Sequence, residues 1–436
     1  MVRKYRGYLP ILSGVLFLCL GILLIRFRNQ AIFPLIRLVG IVSVALGGIG
    51  LIQVPFLIMK SGLKRGLGHV GQSLVQILLG LVFYFSRWPN SFLTGIILGY
   101  FLWMGITYAI TWHLLRRDGV HNRRWNLVQA LLNLTFVGII AGNTAARAPI
   151  LYEILGWYLV LVGLSALIDE ITYLKTEPIT NLKRRIRITL PAGLSALLPY
   201  QALLAFNRFM AEGQQGEQLP YVKKEEESDL KVWVHANPKG FGRFGHVDIT
   251  YKGFNYSYGA YDKFSNRLFG TLGDGVLRVI PHEDYEKAIE KNKDRLAFVY
   301  GIHLTNEQRE RVESRLQEIL SQTVPFDNRK MEQTDAYTQR VNWNHTLKAY
   351  KFRGSRFRSY FVFSTNCVQL ADAIVGQSGI DIINISGIIS PGSYYAFLEQ
   401  EYRRPHSRVV SKTVYYPQAG RHHALAQKIA KERSSS

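Results

Sequence analysis

Cysteine is almost missing from this chain: Cys19 and Cys367 are the only two among 436 residues. A disulfide framework, a cysteine metal site and a paired redox motif are thereby excluded, and no metal or cofactor is expected. Acidic residues are scarce relative to basic ones, 31 against 53, which leaves a formal charge of +22. In a soluble chain that excess would point to nucleic acid. Here much of it lies in loops between apolar runs and in the C-terminal tail. Membrane topology accounts for it there, so nucleic acid is not expected as a partner.

What is present divides sharply. Mean hydropathy is near zero, yet residues before about 210 are dominated by Leu, Ile, Val, Gly and aromatics, while those after it are rich in Lys, Arg, Glu and Asn. Apolar stretches at 8–26, 32–59, 68–86, 92–115, 125–142 and 149–168 each approach or exceed the roughly 20 residues that cross a bilayer core as a helix. The first begins basic (Arg3, Lys4, Arg6) and runs into the second without a small-residue cleavage site, so it reads as an uncleaved anchor. The lipid bilayer is the first expected partner.

The spans come as three hairpins, most plainly where Leu74-Val75-Gln76-Ile77-Leu78-Leu79 recurs as Leu127-Val128-Gln129-Ala130-Leu131-Leu132. Gly21, Gly40, Gly80, Gly99 and Gly156 fall at similar places in their hairpins, where a missing side chain lets helices approach closely. This organisation resembles the HdeD-like family of six-span bacterial membrane proteins, and a membrane domain over 1–175 is expected. The N-terminus, the 60–65 loop, the 116–124 loop (Arg116, Arg117, Arg123, Arg124) and the 183–187 run are basic, whereas the alternate loops carry fewer Lys and Arg. Positive charge is retained in the cytoplasm, which places the N-terminus inside.

Residues 183–208 hold that basic run and then a further apolar stretch, interrupted by Pro191 and Pro199. The charge asymmetry around it favours a seventh span, which would put the C-terminal domain outside the cell membrane. The rival reading is an interfacial helix on the cytoplasmic face, which would leave the domain inside. The expected fold class is thus multi-domain: an all-α polytopic bundle followed by an α+β domain. A polar linker over 209–229 separates them, and a basic, flexible tail over 403–436 follows.

In the soluble half, Lys231-Val232-Trp233-Val234-His235 reads as a strand. His246 to Tyr251, a Lys252-Gly253 turn and Phe254 to Gly259 have the alternation of a β-hairpin. Alternation puts Val247, Ile249, Tyr256 and Tyr258 on the apolar face and His246, Asp248, Asn255 and Ser257 on the other. Thr305-Asn306-Glu307-Gln308 is a capping box that opens a helix through about Gln322. Tyr360 to Phe363 reads as a strand, and Asn366 as the N-cap of a helix whose first turn holds Cys367. Free amides and partial positive charge at a helix start favour thiolate over thiol, so a cysteine there is a candidate nucleophile.

Phe244-Gly245-His246-Val247-Asp248-Ile249, followed by Tyr256-Ser257-Tyr258-Gly259 and later by Asn366-Cys367, resembles the circularly permuted branch of the NlpC-type papain-like fold. Lecithin:retinol acyltransferase-like proteins share that permuted order. The resemblance covers about 230–400, within a domain bounded at 230–402. It implies Cys367 as nucleophile, His246 as base and Ser257 as the orienting residue, at a place where close relatives usually carry Asn. Asp248 and Asn255 share Ser257's face, while His235 and His282 match no motif position and are read as surface residues. The expected activity is that of a membrane-anchored cysteine peptidase or amidase acting on amide bonds of peptidoglycan peptides, with anionic wall polymers as partners of the basic tail. A lipid acyl hydrolase or acyltransferase, and a non-catalytic binding or sensing module, are the alternatives.

Overall fold

The computed structural model describes residues 8–27, 29–61, 63–85, 89–121, 123–142, 147–175, 185–187, 221–222, 228–236, 245–291, 296–327, 346–379, 382–384, 391–403 and 407–415. The chain divides into two units. One comprises Met1–Ile106 and Gln129–Leu174, the other Thr107–Val128 and Lys175–Ser436.

The N-terminal region is helical: α1 (Tyr8–Phe27), α2 (Asn29–Ile52), α3 (Val54–Ser61), α4 (Leu63–Phe85), α5 (Pro89–Arg117), α6 (Arg124–Gly142) and α7 (Arg147–Lys175). Ile97–Arg117 of α5 and Arg124–Gly142 are long and apolar enough to cross a membrane, while the apolar parts of α1, α4 and α7 and the stretch Gly40–Phe56 are shorter. Large apolar side chains such as Leu12, Leu38, Phe56, Leu78, Leu131 and Ile168 lie exposed on these helices. Water would disfavour so much apolar surface, whereas lipid would not.

Glycine decides where the helices of the first unit touch. A Cβ at Gly21 would lie 2.6 Å from the Gly156 carbonyl oxygen, and one at Gly163 would lie 2.7 Å from that of Gly14, so α1 and α7 are in backbone contact. Gly40 and Gly80 do the same for α2 and α4, each 2.8 Å from the other's carbonyl oxygen. Gly99, expected to act alike, has open space where its side chain would be; α5 instead meets α6 at Gly105, against Leu134. The seams therefore join the first helix to the last and α2 to α4, a pattern that a short repeat in the sequence does not encode.

The second unit is built on a nine-stranded sheet of order β2-β13-β8-β3-β4-β5-β7-β10-β9. Its strands are β2 (Tyr221–Val222), β3 (Leu230–Ala236), β4 (His246–Tyr251), β5 (Phe254–Gly259), β7 (Val276–Pro281), β8 (Leu296–Ile302), β9 (Thr323–Phe326), β10 (Lys348–Phe352) and β13 (Val409–Tyr415). Two short pairs stand apart: β1 (Arg185–Arg187) lies parallel to β12 (Ile382–Asn384), and β6 (Leu272–Asp274) antiparallel to β11 (Ser359–Phe361). Helices α8 (His282–Lys291), α9 (Asn306–Ser321), α10 (Cys367–Val375) and α11 (Pro391–Arg403) complete the unit.

Strand alternation sorts two cores. Val232, Val234, Val247, Ile249 and Tyr258 pack with residues of α9, α10 and α11. Trp233, Val276 and Ile280 pack on the opposite face with Tyr285, Ala288 and Ile289 of α8. The expected hairpin is present with Asp248 opposite Ser257 and Ile249 opposite Tyr256. The capping box also forms, with Thr305 and Gln308 satisfying each other's backbone amides.

Two boundaries shift. Part of the expected flexible tail is β13, whose Val409 and Val410 are fully buried and which pairs with both β8 and β2. Its basic residues masked a run rich in β-branched side chains. The end of the expected linker belongs to the domain as well, since Asp229 accepts from the Leu304 amide and pairs with Arg309. Residues 188–206, read as a seventh span or interfacial helix, lie outside the described residues.

Candidate functional site

Cys367 opens α10 as expected, because Asn366 turns the chain from extended backbone into helix and its side chain accepts from the Gln369 amide. The helix packs across β4 on the face of Val247 and Ile249, whereas strand alternation puts His246 on the other face. Cys367 is 2 % exposed. The Tyr360 hydroxyl is a neighbour within reach of its sulfur. Burial, the nearby Cys367 sulfur and two other tyrosines push the Tyr360 phenol well above its ordinary value.

His246 begins β4 after Gly245, whose φ of +78° an L side chain rarely adopts. A Cβ there would also lie 2.8 Å from the His235 carbonyl oxygen, so a glycine lets β3 and the start of β4 close together. The ring's Nε2 is 2.7 Å from Asp248 Oδ1 and 3.0 Å from each of the Ser257 and Tyr261 hydroxyl oxygens. By distance the carboxylate contact is an ion pair. The N–H direction is off line for that oxygen, and the hydroxyls are the better-aligned hydrogen-bond partners. Ser257 and Tyr261 are themselves 2.5 Å apart. Arg278, opposite Ser257 on β7 and buried, lies 3.6 Å over the Tyr261 ring and fixes its plane.

Burial disfavours a charged His246, but the Asp248 carboxylate, with Tyr261 and Cys367 adding to it, holds its pKa well above the usual histidine value. Burial likewise disfavours ionised Asp248, yet His246 and a second histidine keep it well below the carboxylate range. That second histidine is His235, 3.1 Å from Asp248 Oδ2 by its Nε2. Tyr285 donates to the same carboxylate oxygen at 2.6 Å and lies 2.8 Å from His235 Nε2. His235 is 3 % exposed, which overturns its reading as a surface residue. His282 is partly buried beside Lys231, with 3.0 Å between Nε2 and Nζ.

The sequence-derived residues are thus placed unequally. His246 and Ser257 are in direct contact, and Asp248 is in contact with both histidines. Asn255 instead donates to Thr250 and does not serve the ring. Cys367 belongs to the core on the α10 side of the sheet and reaches the histidine cluster through charge, with Tyr360 as its contact. The residues not foreseen are Tyr261, Tyr285, Tyr360 and His235. Only His235 had a local signal, since β3 alternation puts it on the face of Trp233. Among the described residues, no group of His, Cys, Asp and Glu has the geometry to hold a metal ion.

Nε2 faces Asp248, Ser257 and Tyr261. The arrangement provides a carboxylate-anchored imidazole, a cysteine at a helix start and phenols between them. Comparison with protein-family models, with curated proteins and with solved structures finds no match to this chain.

Proposed function

We propose that the second unit is a thiol hydrolase in which Cys367 attacks a carbonyl of an amide or ester and His246 carries the proton. The single observation behind this reading is the 2.7 Å Asp248–His246 ion pair, with Cys367 among the charges that raise the His246 pKa. His246, held protonated beside Asp248, is the counter-ion of a Cys367 thiolate, and the thiolate adds to the carbonyl carbon. The imidazolium then protonates the leaving nitrogen or oxygen as the C–N or C–O bond breaks. Water, deprotonated by the neutral ring, releases the acyl group from sulfur. Asp248 stabilises the imidazolium, and Ser257 and Tyr261 orient it, so the orienting role proposed from sequence for Ser257 becomes a shared one. Cys367 is buried, so attack requires the side chains around it to move aside.

Membrane anchoring through a multi-pass helical region narrows the substrate to material near a bilayer. Amide bonds of cell-wall peptides fit a domain held outside, and acyl lipids fit one held against the bilayer surface.

The burial of Cys367 favours a second reading, a non-catalytic binding or sensing module. Thiol reactivity separates the two. Under the proposal Cys367 is alkylated by iodoacetamide faster than a model cysteine at neutral pH, the rate falls in His246→Ala, and Cys367→Ala abolishes turnover while the fold persists. Alkylation no faster than the model thiol, or full turnover in Cys367→Ala, would remove it.

A further inference from the structure

The segment between β5 and β6 exposes more apolar surface than any water-facing loop needs. Phe264, Leu268 and Phe269 are 76 %, 54 % and 91 % exposed. Leu268 and Phe269 sit at φ of +47° and +58°, an arrangement that non-glycine residues adopt only when held there. The holding contacts are specific. Asp262 accepts from the Phe264 amide, Ser265 donates to the Asp262 carbonyl, and Asp274 donates its amide to Ser265 Oγ. Arg267 and Leu272 close the base by paired backbone bonds of 2.7 and 3.3 Å. This is a braced protrusion that presents three apolar side chains, flanked by exposed Lys263 and Arg267.

Its base is also tied to the connection between α5 and α6. Asp118, 4 % exposed, accepts from Ser359 Oγ, to which Arg117 also donates at 2.6 Å. Ser359 pairs with Asp274 across β11 and β6, and the Val362 amide donates to Thr271, at the loop's end. Among the described residues, Arg117 ends one of the two helices that meet the length and hydropathy of a membrane crossing, and the next begins at Arg124. A segment in contact with that connection lies on the same side of the bilayer as it does. The basic run points the same way, since β1 (Arg185–Arg187) pairs with β12 of the domain.

We propose that the Phe264–Leu268–Phe269 tip seats in the interface of the bilayer leaflet from which the α5–α6 connection emerges, with Lys263 and Arg267 meeting anionic headgroups. Arg116, Arg117, Arg123 and Arg124 make that leaflet the cytoplasmic one. Apolar groups flanked by cations are the chemistry of an interfacial anchor. The neighbouring residue Tyr261 touches His246, so the anchor holds the catalytic candidates at the lipid surface. The inference goes beyond the hydrolase reading and does not require turnover; a cytoplasmic domain favours the acyl-lipid substrate over cell-wall peptides.

The test uses the full chain with Cys19→Ser and Cys367→Ser, reconstituted in vesicles of phosphatidylglycerol and phosphatidylcholine. Single cysteines replace Phe264, Phe269 or, as a control, Phe254 at the far hairpin, and each carries a nitrobenzoxadiazole label. Spin-labelled phosphatidylcholine should quench the 264 and 269 labels strongly and leave 254 bright. Equal quenching of all three by aqueous iodide, or blue-shifted emission at 264 and 269 that lipid spin labels do not touch, overturns the proposal; the latter identifies a protein occupant. In cells, His121→Cys and Phe254→Cys should be labelled or protected together by a membrane-impermeant maleimide, and opposite responses overturn the sidedness. Neither readout involves hydrolysis, so their failure leaves the thiol-reactivity test intact.

Discussion

Replacing Asp248 by Asn removes the charge on which the histidine cluster is built while keeping its shape. The carboxylate is 3 % exposed and faces His246 at 2.7 Å and His235 at 3.1 Å. Taking away one partner of a buried ion pair costs roughly 3–5 kcal/mol when the other stays charged. His246 is 21 % exposed and can release its proton, so the expected loss is at the low end, about 3 kcal/mol. The pH dependence has a definite sign. The folded pKa of His246 is raised, so its contribution is complete below the ordinary value of 6.5 and disappears as pH climbs through the raised one. The folded pKa of Asp248 is lowered, so its contribution is complete above the ordinary 3.8 and disappears as pH falls through the lowered one. The gap between wild type and variant is therefore widest between about pH 4 and pH 6.5. Urea unfolding in detergent at a series of pH values measures it, and Trp233, stacked against His235 at 6.3 Å, reports on the cluster by fluorescence. An Asp248→Asn chain of unchanged stability, or a gap that does not narrow at alkaline pH, would refute the electrostatic account.

Three further outcomes follow from packing. Gly40→Val forces a side chain against the Gly80 carbonyl and should destabilise the helical unit by about 1–3 kcal/mol, whereas Gly99→Ala meets open space and should be neutral or slightly stabilising; thermal aggregation in detergent compares them. Thr305→Ala deletes half of the capping box and should cost about 1 kcal/mol in the same urea assay. A chain ending at residue 402 lacks β13 and exposes the edge of β8, so it should be degraded or insoluble on expression, although the basic composition beyond that point suggested a flexible tail.

Much of the local structure was legible. The β4–β5 hairpin, the Thr305 cap and the Asn366 cap each follow from a few adjacent residues, because alternation, turn chemistry and capping are local physics. His235 escaped because its fate depends on the strand register that puts it opposite His246, a pairing between segments ten residues apart. The α1–α7 seam escaped for the same reason at larger scale: Gly21 and Gly156 are reciprocal partners only once the helices are assembled.

Sequence alone determined a helical, apolar first half, a sheet-rich second half, a cysteine at a helix start and a histidine at a strand start. Tertiary structure alone decided that the imidazole answers first to Asp248, Ser257 and Tyr261 while the sulfur answers to Tyr360. The physical reason is that secondary structure is set by neighbours along the chain, whereas a proton's partner is set by tenths of an ångström between side chains that only strand register and helix packing bring together.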